Sequence, residues 1–220
     1  MRWPGWFPAE SVDSAYHIDY DRLKERGIRG LIYDVDNTLV PHGAMPDKRA
    51  RALFSHLHEL GIPAVFVSNN REERVKPFAE AVGAGYVHKA GKPGKKGYLK
   101  AMEMMGTDAS STLFVGDQIF TDIWGANRAG IYSVLCRPIH PKEEPQIIAK
   151  RVLEAPVRLL SALDRRLRPG AYPEESVLLA PDSSGRIPEL YGEYDGASGS
   201  FTPVKKNQQP DPPAGGSDGN

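Results

Sequence analysis

Two carboxylates stand two positions apart in Asp34-Val35-Asp36-Asn37-Thr38, directly behind an apolar run. A carboxylate attacking phosphorus forms an aspartyl-phosphate and splits a hard hydrolysis into two displacements, and a second group must then protonate the departing oxygen. Asp34 and Asp36 can divide those roles. Two anions do not approach unaided, so the chemistry also needs a divalent cation held by oxygen ligands. Asp117 and Asp122, in Gly116-Asp117-Gln118-Ile119-Phe120-Thr121-Asp122, supply the hard donors that suit magnesium. Ser68, the backbone N–H groups that follow it, and Lys92 offer hydrogen bonds and a fixed positive charge to a phosphoryl group.

Taken singly, each segment has a plain structural explanation. Ser68-Asn69-Asn70 reads as a turn and helix cap, Asp117 or Asp122 as a cap, Lys92 as a solvated charge. The order of the elements gives them joint meaning. From Ile28 to Arg137, short runs rich in Val, Ile and Phe alternate with longer helical patterns, as in a parallel sheet covered by helices. Strands are expected at 30–34, 63–68, 85–88, 112–115 and 131–135, with helices over about 47–60, 72–81, 95–105 and 121–129. Pro46-Asp47 suits a helix start and Gly61 its end. Ligands of wound α/β sheets collect beyond the carboxyl ends of the strands, and all four segments fall there.

In this order the segments resemble the motifs of the haloacid dehalogenase superfamily. Asp34 to Val40, with Ser68-Asn69-Asn70, Lys92-Pro93 and Gly116-Asp117-Gln118 before Thr121-Asp122, is similar in particular to the YqeG-type phosphatases of its subfamily IIIA, a group with phosphatidylglycerophosphate phosphatases among its relatives. The resemblance implies a Rossmann-like α/β fold, Asp34 as nucleophile, and Asp36 as general acid and base with its backbone carbonyl on Mg2+. It further implies Asp117 and Asp122 as metal ligands, Lys92 as the charge on the phosphoryl group, and Ser68, Asn69 and Thr38 beside it as phosphate-binding residues.

The spacing leaves no room for a cap domain: 32 positions separate Asp36 from Ser68 and 24 separate Ser68 from Lys92, each interval already filled by ordinary elements. An open site suits a phosphorylated headgroup projecting from something large, such as a lipid, better than a small metabolite that must be enclosed. Nucleotide, sugar or protein phosphates are the alternative substrates, and a phosphoacceptor signalling module is the alternative class.

The chain carries 28 basic and 28 acidic residues, so no overall field collects polyanions and no nucleic-acid partner is expected. The single cysteine, Cys136, reads as a core residue in a cytoplasmic protein. The organisation expected is a lead-in with aromatic residues and helix over 1–27, a catalytic core over 28–140, a basic amphipathic segment over 141–169, and a disordered Pro/Gly-rich tail over 170–220. The basic segment has two readings: packing on the core, or peripheral contact with an anionic membrane.

Overall fold

The computed structural model describes residues 5–139, 145–168, 178, 192–195 and 200–203. Its centre is a six-stranded, wholly parallel sheet. In chain order the elements are β1 (Glu10–Val12), α1 (Tyr20–Glu25), β2 (Gly30–Tyr33), α2 (Lys48–Leu60), β3 (Ala64–Val67), α3 (Glu72–Val82), β4 (Gly85–Val87), α4 (Lys96–Met105), β5 (Thr112–Gly116), a π-helical turn (Ile119–Ile123), α5 (Trp124–Arg128), β6 (Tyr132–Cys136) and α6 (Pro145–Leu167). The strands lie in the order β1-β6-β5-β2-β3-β4, so β5, β2, β3 and β4, which precede the four candidate segments, are neighbours. Short apolar strands buried on both faces are what a helix-covered parallel sheet requires.

Alternating side chains of the central strands feed two cores. On one face Tyr33, Phe54, Phe66 and Phe78 pack in a row with ring centroids 5.2–5.7 Å apart. On the other, Ile32, Val65, Val67 and Phe114 meet Tyr98, Ala101 and Met102 of α4. Asp47 caps α2 by accepting from Ala50 N at 2.9 Å, and Gly61 ends it in the left-handed conformation, as the Pro-Asp and Gly pattern anticipates. The intervals considered for caps hold a loop and α2 in the first case, and α3 and β4 in the second.

The N-terminal segment does more than lead in. β1 pairs with β6 as a sixth strand, so the sheet extends across the expected boundary at residue 28. Trp6 packs edge-on against Phe120 and Trp124. Most of the expected disordered tail lies outside the described residues. Within it, Leu178 is buried and its carbonyl accepts from Asp19 N, and β7 (Gly192–Asp195) pairs antiparallel with β8 (Ser200–Pro203).

Gly125, inside α5, faces Tyr98 so closely that a Cβ there would lie 2.5 Å from the phenol oxygen. Helix propensity favours alanine over glycine by about 1 kcal/mol, but overpacking against a ring fixed in the core costs about 1–3 kcal/mol, so the clash should win. Gly125→Ala is therefore expected to lower the urea unfolding midpoint, and an unchanged or raised midpoint would show that Tyr98 yields freely.

Candidate active site

Asp34 leaves the end of β2 with its backbone N–H still bonded to Val115 O at 2.9 Å, which fixes the strand end against β5. Asp117 follows β5, and Asp122 sits in the π-helical turn beyond it, its Oδ2 accepting from Gln118 N at 3.0 Å. These three buried aspartates come together: one carboxylate oxygen from each lies within 4.8 Å of the others. Lys92 enters from the loop after β4, with Nζ 2.5 Å from Asp34 Oδ1 and 2.7 Å from Asp122 Oδ1. Thr38 Oγ1 donates to Asp117 Oδ1 at 3.2 Å.

The charges do not balance. Burial raises the Asp34 carboxyl well above the ordinary range; Lys92 opposes this, while Asp122 and Asp117 reinforce it. Burial also works against the Lys92 ammonium, yet Asp122 and Asp34 outweigh it and hold the group above the usual lysine range. A charged lysine compensates one of three carboxylates, leaving an excess of negative charge in a dry site. Three hard oxygen donors at this spacing fit a divalent cation, which would remove the excess.

Lys92 is held as firmly at its backbone as at its charge. Asn69 uses its side-chain oxygen to accept from Lys92 N at 2.7 Å and its amide nitrogen to donate to Lys92 O at 3.1 Å. Both ends of the Asn69 amide thus serve the lysine. Ser68 is buried at the end of β3, its hydroxyl accepting from Asn70 N at 3.1 Å.

Asp36 is not in the three-carboxylate cluster. Its Oδ1 accepts from Arg74 Nη2 at 2.7 Å and Gly43 N at 2.8 Å, and its Oδ2 from Asn70 Nδ2 at 2.7 Å. Asn37 makes the tight turn between them with φ of 64°, a left-handed conformation that asparagine tolerates. His42 Nδ1 lies 3.9 Å from Asp36, whereas the His88 ring packs against Tyr86. Cys136 is buried, and desolvation pushes its thiol up, as suits a core residue.

Several supports were not marked by the motif segments. Tyr16 Oη donates to Leu39 O at 2.6 Å, tying the N-terminal segment to the Asp34 loop. Tyr98 Oη lies 3.1 Å from the carbonyls of Thr121 and Asp122. Glu154 of α6 is buried and accepts from Ile119 N at 2.7 Å, satisfying the start of the π-helical turn. Its only sequence signal is that it is one of two acids, with Asp164, in a basic stretch.

The model of haloacid dehalogenase-like hydrolases matches residues 35–130, a span that starts one residue past Asp34. The chain is 37% identical over 163 residues to the probable phosphatase YqeG of Bacillus subtilis (strain 168), covering 73% of this chain and 93% of that protein. It is 31% identical over 191 residues to phosphatidylglycerophosphate phosphatase 1, chloroplastic/mitochondrial, of Arabidopsis thaliana, covering 79% of this chain and 51% of that one. The chloroplastic phosphatidylglycerophosphate phosphatase 1 of Chlamydomonas reinhardtii is 30% identical over 150 residues, covering 63% of this chain and 56% of that one. The chain thus spans just over half the length of the plant and algal proteins. It belongs to the haloacid dehalogenase-like hydrolases. Within that family its activity is that of a phosphatase.

Replacing Lys92 isolates the charge imbalance. Lys92→Met removes the ammonium that opposes the burial of Asp34, so the folded-state pKa of Asp34 rises further above its unfolded value. A raised carboxyl pKa makes the missing stability greatest at high pH and smallest once pH falls below it. With chelator present, Lys92→Met is expected to lose about 3–5 kcal/mol at pH 8 and to recover part of that toward pH 5. Urea unfolding at both pH values tests this, and a pH-independent deficit would contradict it.

Proposed function

We infer that the chain is a magnesium-dependent phosphomonoester hydrolase whose nucleophile is Asp34 and whose substrate is phosphatidylglycerophosphate. The chemistry rests on one observation, the buried meeting of Asp34, Asp117 and Asp122 with Lys92. In the first displacement an Asp34 carboxylate oxygen bonds to phosphorus as the bond to the alcohol oxygen breaks, and Asp36 gives that oxygen its proton. In the second, water attacks the aspartyl-phosphate, Asp36 takes the water's proton, and Asp34 is released with inorganic phosphate. Asp34, Asp117, Asp122 and the Asp36 carbonyl would hold Mg2+, which supplies charge neutralisation and polarisation of the phosphoryl group. Lys92 balances charge on the equatorial oxygens, with Ser68 and Thr38 as hydrogen-bond partners of the phosphate and Asn69 acting on it through Lys92.

The substrate is supported separately. Two relatives at 30–31% identity carry the name phosphatidylglycerophosphate phosphatase, and the intervals that would hold a cap contain only ordinary elements. An uncapped rim admits a headgroup that remains attached to a bilayer.

Phosphate release from phosphatidylglycerophosphate, a nucleotide, a sugar phosphate and a phosphopeptide should favour the lipid. Asp34→Asn is expected to lower kcat by about 10³-fold or more, and Asp36→Asn by about 10²–10⁴-fold. Turnover that survives Asp34→Asn would reject the nucleophile assignment, and a preference for another ester would reject the substrate. Added Mg2+ should raise the thermal midpoint of the wild type, because a ligand bound only by the folded state stabilises it, and Asp117→Ala should abolish that rise.

A further inference from the structure

Helix α6 is built the wrong way round for a helix covering a soluble domain. Its side toward the domain is largely polar: Glu154 and Ser161 are 1% and 6% exposed, and Arg165 Nη2 donates to Ala9 O at 2.8 Å. Arg158 on the same side reaches toward Asp117 O and Glu154, and Val157 is the buried apolar residue among them. The opposite side carries Leu153, Leu159, Leu160, Leu163 and Leu167, which are 42–79% exposed. At 3.6 residues per turn these five leucines occupy an arc of about 120°, centred opposite Glu154 and Ser161. Other exposed apolar residues, such as Met45, Leu99 and Met104, are scattered along the fold. Amphipathic helices are stabilised by burying their apolar arc, and here the domain covers the other arc.

Charge identifies what covers the leucines. From 145 to 168 the sequence has Lys150, Arg151, Arg158, Arg165, Arg166 and Arg168 against Glu154 and Asp164. Glu154 is consumed inside, and Asp164 pairs with Arg168, Oδ1 accepting from Nε at 2.7 Å. Arg158, Arg165 and Arg166, with Ser161 and Ser11, line a cavity of about 580 Å3 beside the helix. A second copy of this helix would bring the same basic flanks together, and Pro156 lies within the apolar arc, where a regular coiled-coil seam would run. An apolar arc flanked by positive charge is matched by a surface that offers acyl chains beneath anionic headgroups. No described helix is long and apolar enough to cross a bilayer, so the helix would lie in the plane of the interface.

We propose that the leucine face of α6 docks on the surface of an anionic lipid bilayer. The inference stands apart from the substrate assignment, since binding is read on vesicles that contain no phosphate monoester. Full-length protein should sediment with vesicles of phosphatidylcholine and phosphatidylglycerol, much less with phosphatidylcholine alone, and binding should weaken as salt is added. Leu160→Gln combined with Leu163→Gln should lower the vesicle partition coefficient at least about tenfold. The same variant should keep the wild-type thermal midpoint and its rate on a soluble phosphate monoester. Arg166→Glu should lower binding to the mixed vesicles more than binding to neutral ones. Protein that stays in the supernatant, or a double variant that binds as the wild type does, overturns the proposal. A concentration-dependent dimer that the double variant dissolves, without vesicle binding by either protein, assigns the face to a second copy instead.

Discussion

Three buried carboxylates answered by one ammonium set the terms for the rest of this structure. An isolated ion pair could be replaced by apolar groups at little loss, but an excess of buried negative charge cannot be relaxed by packing. It must be met by a proton or a cation. That requirement turns the cluster from a stabilising feature into a receptive one. Asp34, Asp117 and Asp122 are held in a geometry that is unfavourable until charge arrives, and the energy for holding them comes from the sheet beneath.

The sheet supplies that energy through rigid attachment. Asp34 N is bonded to Val115 O, so the position of Asp34 is coupled to the strand that delivers Asp117. Lys92 comes from the loop after β4, three strands along the sheet from Asp117's own, and a loop of that length would leave its ammonium free to wander. Asn69 prevents this by gripping the lysine's backbone at both its N–H and its carbonyl. Asp122 is set by Gln118 N, Lys92 and the Tyr98 hydroxyl beneath its turn. Asp36 is arranged differently: it stands outside the trio, gripped by Arg74 and Asn70 rather than by Lys92.

The parts legible in the sequence are those governed by local chemistry. β-branched runs ending in Asp34, Ser68 and Asp117 marked both strands and strand ends, and Asp47 and Gly61 bounded α2 because capping acts within one turn. β1 was illegible for a physical reason: Glu10-Ser11-Val12 is three residues long, with one apolar side chain, and becomes a strand only by pairing with β6. The grip of Arg74 on Asp36 and of Glu154 on Ile119 N spans 38 and 35 residues, so no local pattern records it. For α6, periodicity revealed an apolar face without revealing which way it points. Only the burial of Glu154 and Ser161 shows that the polar side faces the domain.

That orientation gives α6 two roles in one element. Glu154 ends the π-helical turn's need for an acceptor at Ile119 N, and Arg158 reaches the carbonyl of Asp117, so the inner side of the helix belongs to the support of the acidic cluster. The leucines lie across the helix from those contacts, a separation of about one helix diameter, roughly 10 Å. A helix is stiff across its width, since its backbone hydrogen bonds run along it and its side chains are fixed at their bases. Whatever covers the leucines therefore bears on the same rigid body that holds Ile119 and Asp117, and the position of that body is set from both sides at once.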